Sequence, residues 1–233
     1  MHIVYDLHPQ VLAFTAGVGC HGTEPGVDAR QVGIQAGGEC IPSSRLFIPR
    51  QTHSVHVGWA EAPGEMPDTD AVITHTPGLC VAVKTADCIP VLLYDSRQQL
   101  VAAIHAGWRG TVGRIVSCTL QAMHSRGEDV RAVIGPGISL AGFEVGNEVY
   151  ESFLQAGFPM ERMSRRYPGN PSKWHIDLWE ANRWQLLLAG VEHIQMAGIC
   201  TLLSPGQFYS ARRETIDTGR NLNGIMLRPD GFK

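Results

Sequence analysis

Residues 89–105 read IPVLLYDSRQQLVAAIH: apolar runs at 89–94 and 100–104, separated by Asp95-Ser96-Arg97-Gln98-Gln99 and closed by His105. Two apolar runs flanking a short polar segment read as strands joined by a hairpin connection, so the strands are expected to be antiparallel. A turn centred on Arg97 and Gln98 sets residue 90 opposite residue 105. Cys88, which ends Lys84-Thr85-Ala86-Asp87-Cys88, then lies diagonally across from His105, at roughly 7 to 8 Å and within reach of its side chain.

Taken singly, a cysteine between apolar runs is most often a buried thiol, and a strand-end histidine a satisfied polar residue. Their adjacency favours a shared site. His53, in the loop Pro49-Arg50-Gln51-Thr52-His53-Ser54, is a third candidate, although no pairing geometry brings it to the other two. Two imidazoles and a thiolate suit a borderline-soft divalent ion, and three protein ligands with one open position is the pattern of a catalytic zinc. The chain holds no Cys-x-x-Cys from which a closed structural zinc site could be built.

The rest of the chain frames this candidate site. Its 233 residues suffice for one compact domain spanning 1–233, and no long Pro/Ser-rich stretch, charge run or repeat divides it. A net charge of −3 without a basic stripe argues against nucleic acid as a partner. The N-terminus lacks a signal-peptide pattern and no membrane-length apolar run occurs, so a soluble, cytoplasmic protein without membrane contact is expected. Cysteines at 20, 40, 80, 88, 118 and 200 show no disulfide spacing and fit a reducing compartment.

Further strands are expected at 11–16, 45–48, 71–73, 79–83, 131–134 and 199–203. Helices are expected at 111–125 with Thr111 as N-cap, at about 146–156, and at 178–188 with Asp177 as N-cap and Gly190 past the end. Hairpins and helix-separated strands together indicate an α+β class with mixed sheets.

Several other residues carry possible chemistry. His105-Ala106-Gly107-Trp108-Arg109-Gly110-Thr111 leads from a strand end into a helix start, where Arg109 would add a cation for an oxyanion. Tyr209, Arg212, Arg213 and Arg220 concentrate in a loop-like span that suits phosphate or carboxylate; a solvated basic surface is the alternative. Asp87, beside Cys88, is a candidate general acid or base, although an Asp at a strand boundary is more often a turn residue.

Gln51-Thr52-His53-Ser54, Thr85-Ala86-Asp87-Cys88-Ile89-Pro90-Val91, His105-Ala106-Gly107-Trp108-Arg109-Gly110, Ile134-Gly135-Pro136, Phe143-Glu144-Val145-Gly146, Cys200-Thr201 and Phe208-Tyr209-Ser210-Ala211-Arg212-Arg213 together resemble the YfiH family, also called laccase-domain or polyphenol-oxidase-like proteins. The likeness spans roughly residues 45–227. The N-terminal segment departs from it: Ala16-Gly17-Val18-Gly19-Cys20 stands where the family has an Arg-Gly-Gly-Val-Ser type motif. The resemblance implies a four-layer α/β/β/α sandwich, shared in outline with cysteine hydrolase toxins, and a zinc held by His53, Cys88 and His105. It also implies phosphorolysis of purine nucleosides, with adenosine deaminase and methylthioadenosine phosphorylase activities, and hence a nucleoside and phosphate as partners.

Three other functions compete. Cys88 as nucleophile and His105 as base would make a metal-free hydrolase or deamidase. A His₂Cys site could take copper with a methionine as axial ligand, although ten histidines without a His-x-His do not make a multicopper oxidase. A non-enzymatic binding protein is the last.

Overall fold

The computed structural model describes residues 1–36 and 38–229. The first half of the chain runs β1 (His2–Tyr5), β2 (Val11–Ala16), α1 (Ala29–Val32), β3 (Ile34–Ala36), β4 (Glu39–Ile41), β5 (Leu46–Phe47), β6 (Val57–Trp59), β7 (Ala71–Thr74), β8 (Cys80–Thr85), β9 (Ile89–Asp95) and β10 (Leu100–Ala106). The second half runs α2 (Trp108–Val112), α3 (Ile115–Met123), β11 (Val130–Ile134), β12 (Glu144–Gly146), α4 (Asn147–Gln155), α5 (Met160–Met163), β13 (Ser164–Arg166) and β14 (Lys173–Ile176). It ends with α6 (Leu178–Leu188), β15 (His193–Met196) and β16 (Asn221–Leu227). Among the described residues no helix is long and apolar enough to cross a membrane.

The hairpin forms in the register its sequence dictates, with His105 opposite Pro90 and Asp95 opposite Leu100. It is the centre of a six-stranded sheet of order β15-β11-β9-β10-β7-β6, which faces a five-stranded sheet of order β1-β2-β16-β8-β5. Both sheets are mixed: β5 with β8, β6 with β7, and β11 with β15 are parallel pairs, and their other pairings are antiparallel. The class is α+β.

Side-chain alternation explains why the strands read as unbroken apolar runs. Val81 and Val83 of β8 point into the core between the sheets, where they join Leu92, Val101 and Val133 of the opposite sheet. Cys80 and Ala82 point the other way, onto a cluster with Ala29, Ile34 and Ile41 from α1 and the β3–β4 hairpin. In the six-stranded sheet, Val91, Leu93 and Ile104 face outward beneath helices carrying Ile115, Phe153 and Leu186. Strands covered on both faces need apolar side chains at every position.

Three local features differ from the sequence reading. The helix expected at 111–125 is two helices, because Arg114 adopts φ 64° and interrupts the chain between α2 and α3. Thr111 lies buried within α2, where its hydroxyl accepts from Asn182, and Gly107 takes the N-cap position. Residues 199–203 form turns with a single bridge from Cys200 to Gly137, and the strand beside β11 is instead β15. By contrast, Asp177 caps α6 by accepting the Glu180 amide at 3.0 Å, and Gly190 follows with φ 80°.

The central strand β16 has no counterpart in the sequence reading, since Asn221-Leu222-Asn223-Gly224 carries turn-forming residue types. Each polar side chain there finds partners. Asn223 accepts from Thr15 at 2.7 Å and donates to Thr85 at 3.0 Å, and Asn221 clamps both the N–H and C=O of Tyr209 at 2.9 Å. Gly224 lies so close to Phe14 that a Cβ would sit 2.5 Å from its ring.

Candidate metal centre and its cavity

The chain crosses between the two sheets at one end of the sandwich three times: β5 to β6, β8 to β9, and β15 to β16. The ends coincide because β5 and β8 are parallel and β16 begins with Asn221 opposite Thr85. His53 lies on the first crossover and Cys88 on the second, while the third brings residues 201–220. His105, near the end of β10, lies on the same side.

His53, Cys88 and His105 offer ligand atoms that all lie within 4.8 Å of one another, and Cys88 Sγ is 3.8 Å from His53 Nε2. Tetrahedral zinc with ordinary Zn–S and Zn–N bonds separates such ligands by about 3.5 Å, so the donor set fits the ion with small adjustments. The imidazoles meet edge to face, their centroids 4.9 Å apart. Gly107 makes this approach possible: a Cβ there would stand 2.8 Å from His53 Cδ2 and 3.1 Å from Cys88 Sγ.

Asp70 organises the cluster. Its carboxylate is fully buried at the start of β7 and accepts from His105 Nδ1 at 2.7 Å, leaving Nε2 for the cluster. The same carboxylate accepts the backbone amides of Thr52, His53 and Ser54 at 3.0, 3.1 and 2.8 Å, and the Ser54 hydroxyl at 2.9 Å. These bonds hold the His53 loop, where His53 itself has φ 65°. A carboxylate on the second nitrogen of a ligating histidine fixes its tautomer and ring plane. Sequence reasoning missed Asp70; the available signal was an acidic residue directly before the apolar run 71–73.

The electrostatics favour a charged donor set. Burial alone would raise the Cys88 thiol, but the neighbouring His105 and His53 imidazoles bring it down to about 6. Burial pulls the other way on His105, yet Cys88 and Asp70 carry it up to about 9. Asp70, despite burial, is held well below the usual carboxylate range by His105 and by the Thr52 and Ser54 amides.

The cluster opens into a cavity of about 260 Å³. Ala86, Ala211 and Ile216 give it an apolar wall, while Lys84 and Arg220 are its cations. Gln51 secures its rim, donating to the Lys84 carbonyl at 2.7 Å and accepting the Lys84 amide at 2.8 Å. Lys84, Gln51 and Ile216 are cavity residues that the sequence reading did not assign to a site.

Of the oxyanion candidates read from sequence, only Arg220 lines this cavity. Arg109 is exposed and stacked over Trp108, its guanidinium carbon 4.4 Å from the ring centroid. Arg213 donates to the carbonyls of Thr201, Leu202 and Phe208 and to Glu214, which makes it a brace for the third crossover. Arg212 reaches the Glu144 carbonyl and lies over Phe143. Tyr209 is buried, its ring packed where a Cβ on Gly219 would sit. Asp87 is nearly buried with both carboxylate oxygens engaged, one by the Thr201 hydroxyl and the other by the Arg212 amide, each at 2.7 Å.

Residues 27–228 match the family described as multi-copper polyphenol oxidoreductase laccase. A purine nucleoside phosphorylase of Bacteroides thetaiotaomicron is 46% identical, over 86% of this chain and 80% of the relative. An adenosine deaminase from an unknown prokaryotic organism is 40% identical, over 78% of this chain and 75% of its own. The crystal structure of a Neisseria meningitidis protein superposes with a TM-score of 0.81 at 30% identity, covering 98% of this chain and 99% of that one.

Proposed function

The chain belongs to the laccase-domain, or YfiH, family, and on that premise we propose that it is a zinc-dependent purine nucleoside phosphorylase. The observation that carries the reading is the cluster of His53, Cys88 and His105 lining a cavity that also holds Lys84, Arg220 and an apolar wall. The 46% identical phosphorylase supports it.

His53, Cys88 and His105 would hold the metal, which when bound supplies Lewis acidity at its open position. Two imidazoles and a thiolate with one open position is the ligand count of a catalytic zinc site. Ala86, Ala211 and Ile216 offer an apolar surface to the flat purine. In phosphorolysis a hydrogen phosphate oxygen bonds to ribose C1′ as the C1′–N9 bond breaks. The bonding pair goes to the purine, which ends with the proton that the phosphate loses, and ribose 1-phosphate is the other product.

Hydrolytic deamination of adenosine is a second reaction of the same centre, supported by the 40% identical deaminase. It replaces phosphate by water and releases ammonia. Metal-defined protein incubated with adenosine, inosine, guanosine and methylthioadenosine, with and without phosphate, separates the readings by chromatography of products. The expected result is phosphate-dependent release of purine base. Zinc-loaded protein that leaves every nucleoside intact in phosphate overturns the phosphorylase reading, and activity undiminished after metal removal returns Cys88 and His105 to a nucleophile–base pair.

A further inference from the structure

We propose that Lys84 and Arg220, which line the same cavity as His53, Cys88 and His105, form the subsite for inorganic phosphate. This deepens the phosphorylase reading and rests on it for the identity of the anion.

Lys84 is half-buried near the end of β8, and among the described residues its ammonium makes no hydrogen bond or ion pair. Its backbone is fixed by the Gln51 amide on both sides, so the side chain starts from a rigid point. Alternation along β8 puts it on the face of Cys80 and Ala82, toward the segment of Asp28 and Arg30. The acid that acts on it there is already committed: Asp28 holds Arg30 through paired contacts at 2.6 to 3.0 Å. Burial draws the Lys84 ammonium below its ordinary value, with Arg30 and Arg220 acting in the same direction and Asp28 against them. A half-buried ammonium with no ion pair of its own gains from an anion.

Arg220 arrives already oriented. Its guanidinium donates to the carbonyls of Thr218, Gly219 and Ile216, which spends three of its five N–H bonds and leaves Nε–H and one Nη2–H. Such a fork suits two oxygens of one phosphate, whereas a lysine contributes a point charge. No carboxylate is among the residues lining the cavity. With a divalent ion on the thiolate, the site would carry a surplus of positive charge that a hydrogen phosphate dianion complements.

The test is isothermal titration of the zinc-loaded full chain with inorganic phosphate, without nucleoside, using the natural protein, Lys84→Gln and Lys84→Arg. Losing one charge-assisted contact should weaken phosphate by roughly tenfold to hundredfold in Lys84→Gln, and Lys84→Arg should restore most of it. In turnover, the Lys84→Gln loss should appear in KM for phosphate, with adenosine deamination comparatively spared. Equal phosphate affinity in the natural protein and Lys84→Gln overturns the subsite, as does absence of phosphate binding to the zinc-loaded natural protein. Tighter binding of adenosine 5′-monophosphate than of phosphate at the same residues overturns the assignment to free phosphate. Failure of the phosphorylase reading is seen separately, as a natural protein that binds phosphate through Lys84 yet releases no purine base.

Discussion

Asp70 receives the His105 Nδ1–H at 2.7 Å while its carboxylate also anchors the amide of His53 at 3.1 Å. One buried charge thus sets the ring of one metal-ligand candidate and the loop of another. Asp70→Asn keeps the shape but exchanges an acceptor oxygen for a donor facing N–H groups. We expect zinc affinity to fall by roughly 10- to 100-fold and folding stability of the metal-free protein to fall by roughly 3–5 kcal/mol, as for breaking a buried pair. Chelator competition and denaturant titration measure the two, and unchanged affinity would remove Asp70 from the metal centre.

Protonation gives a second prediction. The raised His105, at about 9 against an ordinary 6.5, contributes stability that is complete below 6.5 and lost as pH rises through about 9. The depressed Cys88, at about 6 against 9.0, contributes stability that is complete above 9.0 and lost as pH falls through about 6. The metal-free protein therefore has its thiolate–imidazolium pair between about 6 and about 9. Zinc needs thiolate and neutral imidazole, so at pH 7.5 its binding should expel about one proton from His105 and little from the thiol. Calorimetry in buffers of different ionisation enthalpy counts it, and two protons released from this pair would contradict the arrangement.

Gly107→Ala probes the crowding at the cluster. The new Cβ would press on His53 Cδ2 and Cys88 Sγ at 2.8 and 3.1 Å. Overpacking of this kind costs about 1–3 kcal/mol. The His53 loop is exposed and can yield, so the expected signature is reduced zinc content with modest loss of thermal stability. Full zinc occupancy by elemental analysis would show that the cluster accommodates the added methyl group and does not depend on glycine at position 107.

The hairpin at 89–105 was readable because its polar turn and flanking apolar runs leave one register, and that register alone brings Cys88 to His105. Pairing between distant strands was not readable. Asp70 reaches His105 because Ala71 pairs with Ile104, a contact that no local pattern announces. β16 was hidden for a related reason: Asn221 and Asn223 are turn formers whose polar groups are satisfied only after Tyr209, Thr15 and Thr85 have come together. The arginines show how clustering in sequence differs from convergence on one cavity. Arg212 and Arg213 look like an oxyanion site in sequence, but neither lines the cavity: Arg213 donates to the carbonyls of Thr201, Leu202 and Phe208, and Arg212 reaches the Glu144 carbonyl.

Asp87 distinguishes a positioning role from proton transfer. It adopts φ 87° directly before Cys88, and its carboxylate binds the Thr201 hydroxyl and the Arg212 amide, tying the cysteine turn to the crossover that carries Ala211. Thr201→Val removes one of these bonds without touching the carboxylate, and Asp87→Asn keeps an acceptor in a residue type that tolerates positive φ. Deleting the Thr201 hydroxyl should cost about 1–3 kcal/mol, because it leaves a buried acceptor unsatisfied. If Asp87 positions the wall of the cavity, both variants should raise the nucleoside KM with kcat and the pH–rate profile nearly unchanged. If Asp87 moves a proton, Asp87→Asn alone should depress kcat and erase one limb of the profile, while Thr201→Val retains both. The geometry favours the first outcome, since neither carboxylate oxygen has a free approach to the cavity that Cys88 faces.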